Sequence, residues 1–158
     1  MSELHVLRHP QFDSEVRFEW KRDRFVHAVS WQNLHVSPQE ESGDAAWPSS
    51  PPLQQLSLEV IDDKSVALGV GCAGTSHWSL SVEAVESGFR FDWACRTKTD
   101  AEFLGIHYLD SAFQIEPDAG SQFQNGQAGV HQVGACIVPS DQPWLAGTHR
   151  WGYVIRVG

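Results

Sequence analysis

The stretch S-H-W-S-L-S-V-E-A-V-E-S-G-F-R-F-D-W-A-C-R, Ser76 to Arg96, decides the fold. In its first half Trp78, Leu80 and Val82 alternate with His77, Ser79, Ser81 and Glu83. In its second, Phe89, Phe91, Trp93 and Cys95 alternate with Arg90, Asp92, Ala94 and Arg96. Side chains of a strand point to opposite faces in turn, so each half reads as a strand with one apolar and one wet face. A reversal at Glu86-Ser87, with Gly88 behind it, sets Val82 opposite Phe91, Leu80 opposite Trp93 and Trp78 opposite Cys95. On the other face Glu83 meets Arg90, and His77 comes near Arg96. Aromatic–aliphatic pairs inside and an opposite-charge pair outside are worth about 0.2–1 kcal/mol each. A slip of one residue would turn the whole apolar set outward.

The same pattern recurs along the chain. Residues 4–9 predict a short edge strand ended by Pro10. Glu15–Lys21 and Arg24–Gln32 predict a hairpin over Arg22-Asp23, with Trp20 facing Phe25, Phe18 facing His27 and Val16 facing Val29. Leu56–Ile61 and Val66–Cys72 predict another around Asp62-Asp63-Lys64, with Leu58 opposite Leu68 and Leu56 opposite Val70. Further strands are expected over Glu102–Leu109, Ala112–Glu116, Val130–Val138 and His149–Val157, with a small helical turn near Pro143–Ala146. No segment sustains a 3.6-residue period over three turns. The expectation is a single all-β domain over residues 1–158, an antiparallel β-sandwich or barrel of about nine to eleven short strands. Two long loops interrupt it: a Pro/Ser-rich one at 37–52 and a Gly/Gln-rich one at 117–129.

Composition narrows the function classes. Eleven basic against twenty acidic residues give a formal charge of −9. That balance disfavours nucleic acid, which is bound by neutralising phosphates, and anionic membrane surfaces alike. No apolar run approaches the roughly 20 residues of a membrane-spanning helix. The N-terminus has neither the basic nor the apolar region of a signal peptide, so a cytoplasmic location is expected. Cys72, Cys95 and Cys136 are three in number and lack any C-x-x-C spacing. They read as buried, inert thiols.

Motifs for chemistry are absent. There is no G-x-S-x-G, no H-x-H and no H-E-x-x-H, and the eight histidines show no local metal-ligand spacing. No metal and no cofactor is expected. G-V-G-C-A-G at 69–74 lacks the G-K-[ST] of a phosphate loop, and its glycines are expected to serve a bulge or bend. The chain also lacks the glycine-x-Trp opening of lipocalin-like barrels.

What remains are candidates by residue type. Seven Trp and eight Phe are many for 158 residues. Trp20, Trp78, Trp93 and Trp151 fall on expected core faces, whereas Trp47 and Trp144 fall in loops, where an aromatic face can stack on a sugar ring. His27 falls on an apolar face and requires a partner or a ligand. These three are the ligand-binding candidates of a binding or interaction module with a small-molecule or carbohydrate-like ligand. The alternative is a small enzyme acting on a sugar or similar metabolite, its acid–base groups drawn from His77, Glu83, Asp92, Arg96 and His107. Self-association through an exposed edge or apolar face is the remaining expectation for partners.

Overall fold

The computed structural model describes residues 3–39, 46–109, 113–124 and 134–157. Alternation of apolar and polar residues folds them into thirteen strands in two antiparallel sheets, with no helix among the described residues. In chain order these are β1 (Leu4–Arg8), β2 (Ser14–Lys21), β3 (Arg24–Trp31), β4 (Leu34–Pro38), β5 (Gln55–Ile61), β6 (Lys64–Ala73), β7 (Ser76–Val85), β8 (Gly88–Thr97), β9 (Ile106–Leu109), β10 (Ile115–Pro117), β11 (Ser121–Phe123), β12 (Gly134–Pro139) and β13 (Gly147–Arg156). One sheet runs β1-β2-β3-β4-β9-β12-β11, the other β10-β13-β8-β7-β6-β5. They pack face to face as a β-sandwich.

The central hairpin pairs as its alternation requires: Val82 with Phe91, Leu80 with Trp93, Trp78 with Cys95, Glu83 with Arg90 and His77 with Arg96. The β2–β3 pairs Trp20–Phe25, Phe18–His27 and Val16–Val29 hold as well. Across β8 and β13, Trp93 lies opposite Trp151 and Phe91 opposite Tyr153. Both pairs stack with their planes 9° apart, at centroid separations of 6.1 and 5.3 Å. Trp78 meets Trp151 edge-on at 6.0 Å. These rings form the middle of one continuous buried cluster that draws on both sheets.

Several expectations are corrected. The β5–β6 turn has two residues, Asp62 and Asp63, at φ of 51° and 65°. This is the mirror-image turn that matches strand twist. It shifts the pairing by one residue from that expected, so Leu58 lies opposite Ala67 and Leu56 opposite Gly69. The strand expected over Glu102–Leu109 starts only at Ile106, after Gly105. Leu34–Pro38, unassigned or given to a loop, forms β4, and Ser121–Phe123 within the expected 117–129 loop forms β11. The turn at Pro143–Ala146 is a tight reversal, Leu145 N–H to Pro143 C=O at 3.0 Å, and not helical. Gly71 serves close approach instead of a bulge: a Cβ there would lie 1.9 Å from the Pro52 carbonyl oxygen. Cys95 and Cys136 are buried, but Cys72 is exposed. Parts of both long loops, 40–45 and 125–129, lie outside the described residues, as do His131 and the 130–133 start of the expected Val130–Val138 strand.

Candidate functional site

The outer face of the six-stranded sheet carries the residues that alternate with the core. Register assembles them into rows across the strands. Cys72, His77, Arg96 and Thr148 form one row over β6, β7, β8 and β13. The next is Gln55, Val70, Ser79, Ala94 and Arg150. Ser79 and Ala94 are short, so the middle of the second row is a hollow walled by longer neighbours. The resulting groove encloses about 560 Å³. Its walls are Gln54, Gln55, Val70, Cys72, His77, Arg96 and Thr148. Trp78 and Cys95, whose side chains are buried in the core, complete the floor.

One wall is built by an amide acting as a strand. The β5–β6 ladder reaches the Gln55–Val70 pair. Beyond it, the Gln54 side chain accepts from Cys72 N–H through Oε1 at 2.8 Å and donates from Nε2 to the Cys72 carbonyl at 3.1 Å. The Gln54 backbone N–H donates to Val70 C=O at 2.8 Å. Satisfying strand groups this way holds the rim beside Cys72 in one geometry. The absent side chain at Gly71 gives the Pro52–Gln54 segment room to lie this close.

The groove's electrostatics depart from those of the chain. Among the described residues no Asp or Glu lines it, although the protein carries a net charge of −9. Arg96 is exposed and has no salt bridge with another described residue. Its guanidinium therefore keeps its donors for whatever enters.

The fold separates the five acid–base candidates into three places. His77 and Arg96 share the groove. Asp92 stands four residues up β8 from Arg96, about 13 Å along the strand, and its neighbours there are Glu83, Arg90 and Asp118. Arg90 forms an ion pair with Asp118. A Cβ on Gly152 would meet Asp92 Oδ1 at 2.7 Å and Asp118 Oδ2 at 2.9 Å, so the two carboxylates converge above that glycine. Partial burial raises the Asp92 pKa; Arg90 opposes the shift, and Asp118 and Glu83 add to it. His107 lies on β9 of the other sheet, half-buried, with burial lowering its pKa.

The three ligand-binding candidates sit apart from the groove. Trp144 is buried, donates from Nε1 to Pro139 C=O at 3.2 Å and meets Phe103 edge-on. Trp47 is half-buried against the core. His27 is enclosed between the sheets, where its Nε2 lies 2.8 Å from Tyr108 Oη. Tyr108 Oη is 2.6 Å from Tyr153 Oη, which accepts from Trp93 Nε1–H at 3.0 Å. This polar chain joins β3 and β9 of one sheet to β8 and β13 of the other. Burial pushes the His27 pKa down to about 3, so the ring is neutral at ordinary pH. The partner that its apolar position demands is Tyr108.

Two further histidines are tied into the structure. His9 Nε2–H donates to Val85 C=O at 2.8 Å, while Nδ1 accepts from the Gln11 and Phe12 N–H groups. His149 bridges Asp141 and the Leu145 carbonyl. Among the described residues no three His, Cys, Asp or Glu side chains are placed to hold a metal ion.

Counting back from a two-residue turn at Gly74-Thr75 would have placed Cys72 beside His77. Nothing local in the sequence signals Gln54, whose role depends on a chain segment arriving from outside the hairpin.

No known protein family, no curated protein and no solved structure matches this chain. The class that can be stated is an all-β sandwich with aromatic clusters in its core. No helix among the described residues is long and apolar enough to cross a membrane.

Proposed function

We propose that this protein is a cytoplasmic binding module whose outer groove takes a small hydroxylated ligand bearing a carboxylate, an acidic sugar by chemical class. The observation that carries the reading is the makeup of the groove walls. Gln55, Ser79 and Thr148 offer an amide and hydroxyls suited to sugar hydroxyls, and Arg96 stands among them with no salt bridge to another described residue and no acid among the described lining residues. Guanidinium matches carboxylate geometry with two parallel hydrogen bonds. A volume near 560 Å³ falls in the range of small-ligand sites. Val70 supplies an apolar contact for a ring face. The cytoplasmic clause is supported by three cysteines without a disulfide, one of them exposed, which suits a reducing compartment. A binding role is preferred to the enzymatic alternative because the five acid–base candidates of that alternative are divided among three places, with only His77 and Arg96 in the groove.

The test is an amide-resolved NMR titration of the full chain with a uronic acid, its neutral parent sugar and the disaccharides of each. The acidic sugars are expected to shift Ser79, Ala94 and Arg96, with the neutral sugars at least about tenfold weaker, a difference of about 1.4 kcal/mol. Arg96→Met removes the preference. Equal response to both sugars, or shifts confined to other surfaces, would refute the proposal.

A further inference from the structure

Four strands end the two sheets: β1 and β11 in the larger, β10 and β5 in the smaller. Three of them are guarded. β10 and β11 have three residues each, and β1 has five, with His5, Arg8 and the following Pro10. Short length, charge and proline are the usual defences of an edge. β5 is different. It has seven residues, Q-L-S-L-E-V-I, with Glu59 as its only charge and no proline. Its free side pairs with no described strand. The apolar side chains along it are open: Leu58 is 38%, Val60 74% and Ile61 49% exposed.

From this edge we infer that the protein self-associates, β5 pairing antiparallel with β5 of a second copy about a two-fold axis through Leu58. A row of unpaired backbone N–H and C=O groups recognises another strand, and a two-fold contact requires that strand to be self-complementary. β5 meets the requirement in this register. Leu58 lies opposite Leu58 of the partner subunit, Leu56 opposite Val60 of the partner subunit, and Ser57 opposite Glu59 of the partner subunit. No like charges face each other. Moving the axis to Glu59 would set two carboxylates directly opposite, which destabilises a strand pair. Moving it to Ser57 would set Val60 against Gln54.

A second feature favours the same register. A cavity of about 520 Å³ opens at the start of β5, walled by Trp20, Phe25 and Leu56 together with Glu3, Gln54 and Gln55. Because Leu56 pairs with Val60 of the partner subunit, the most exposed large apolar side chain among the described residues of each copy arrives at the other's cavity. The two six-stranded sheets then form one continuous sheet, and both unguarded edges disappear.

Analytical ultracentrifugation of the full chain tests this. The wild type is expected to sediment as a dimer, with Leu58→Lys and Leu58→Glu each weakening association at least about tenfold by placing like charges across the axis. An equimolar mixture of the two variants is expected to recover the dimer, since opposite charges then meet. Circular dichroism checks that each variant is folded. Val60→Lys, at the most exposed apolar position of β5, carries the same test of association if substitution at Leu58 unfolds the chain. A wild type that remains a 17.6 kDa monomer at near-millimolar concentration would overturn the inference. So would variants that dimerise as the wild type does, or a mixture that stays monomeric.

Discussion

Replacing His27 by Gln should flatten the acid sensitivity of this protein. In the unfolded chain an imidazole takes up a proton near pH 6.5; enclosed between the sheets, His27 does so only near pH 3. Between those values the unfolded chain binds more protons, so stability is full above about pH 6.5 and is lost as the pH falls toward 3. One pKa unit corresponds to about 1.4 kcal/mol, so the whole interval amounts to about 5 kcal/mol. Between pH 6 and pH 5 alone the loss is about 1 kcal/mol, before most carboxylates titrate. Half-buried His107, whose pKa burial also lowers, contributes in the same sense in both proteins, so the difference between wild type and variant isolates His27. A glutamine amide can donate to Tyr108 Oη without titrating. Denaturant unfolding of both proteins at intervals from pH 7 to pH 5 gives the slopes. The wild-type slope should exceed that of His27→Gln by about 1 kcal/mol per unit at the acid end. Parallel curves would show that His27 is not enclosed, and the polar chain through Tyr108, Tyr153 and Trp93 would lose its anchor.

Two more outcomes follow from local geometry. Gly71→Ala forces a Cβ to within 1.9 Å of the Pro52 carbonyl. With the Gln54 clamp disturbed as well, it should cost about 2–4 kcal/mol in denaturant unfolding. Gly69→Ala, whose Cβ has Leu53 and Leu56 methyl groups at 3.2 Å as its nearest neighbours, should cost less; the reverse order would contradict the packing of this segment. A disulfide-exchange reagent should titrate one thiol in the native protein and three after denaturation, because burial pushes both Cys95 and Cys136 up to about 12 while Cys72 is exposed. Two fast native thiols would place one of the buried cysteines wrongly.

The fold was legible where two signals agreed. Around Glu86-Ser87 the alternation of Trp78–Val82 and Phe89–Cys95 matched the charge pair Glu83–Arg90, and all of these pairs form. At Asp62-Asp63 only the turn itself could choose between two and three residues. Aspartate at positive φ gave the shorter loop, and every pair in β5–β6 moved by one. The site was legible in part for the same reason. His77 and Arg96 share the groove because they share a face of the central hairpin, which alternation reveals. Gln54 reaches it from the segment before β5 and Thr148 from β13, and no local pattern encodes that meeting. His27 was recognisable as a polar group in an apolar position, but Tyr108 lies 81 residues away, beyond any reading of periodicity.

The order in which the strands join their sheets bears on how this chain is made. β1 to β4 and β5 to β8 are runs of sequence neighbours that can pair as they leave the ribosome. The later strands are divided between the two layers: β9, β11 and β12 go to one, β10 and β13 to the other. Trp151 and Tyr153, which fill the middle of the interior, arrive on the thirteenth strand. Until β13 is synthesised, Trp78, Phe91 and Trp93 lack the Trp151 and Tyr153 rings they meet in the finished interior, and apolar surface left open in a nascent chain is what chaperones bind.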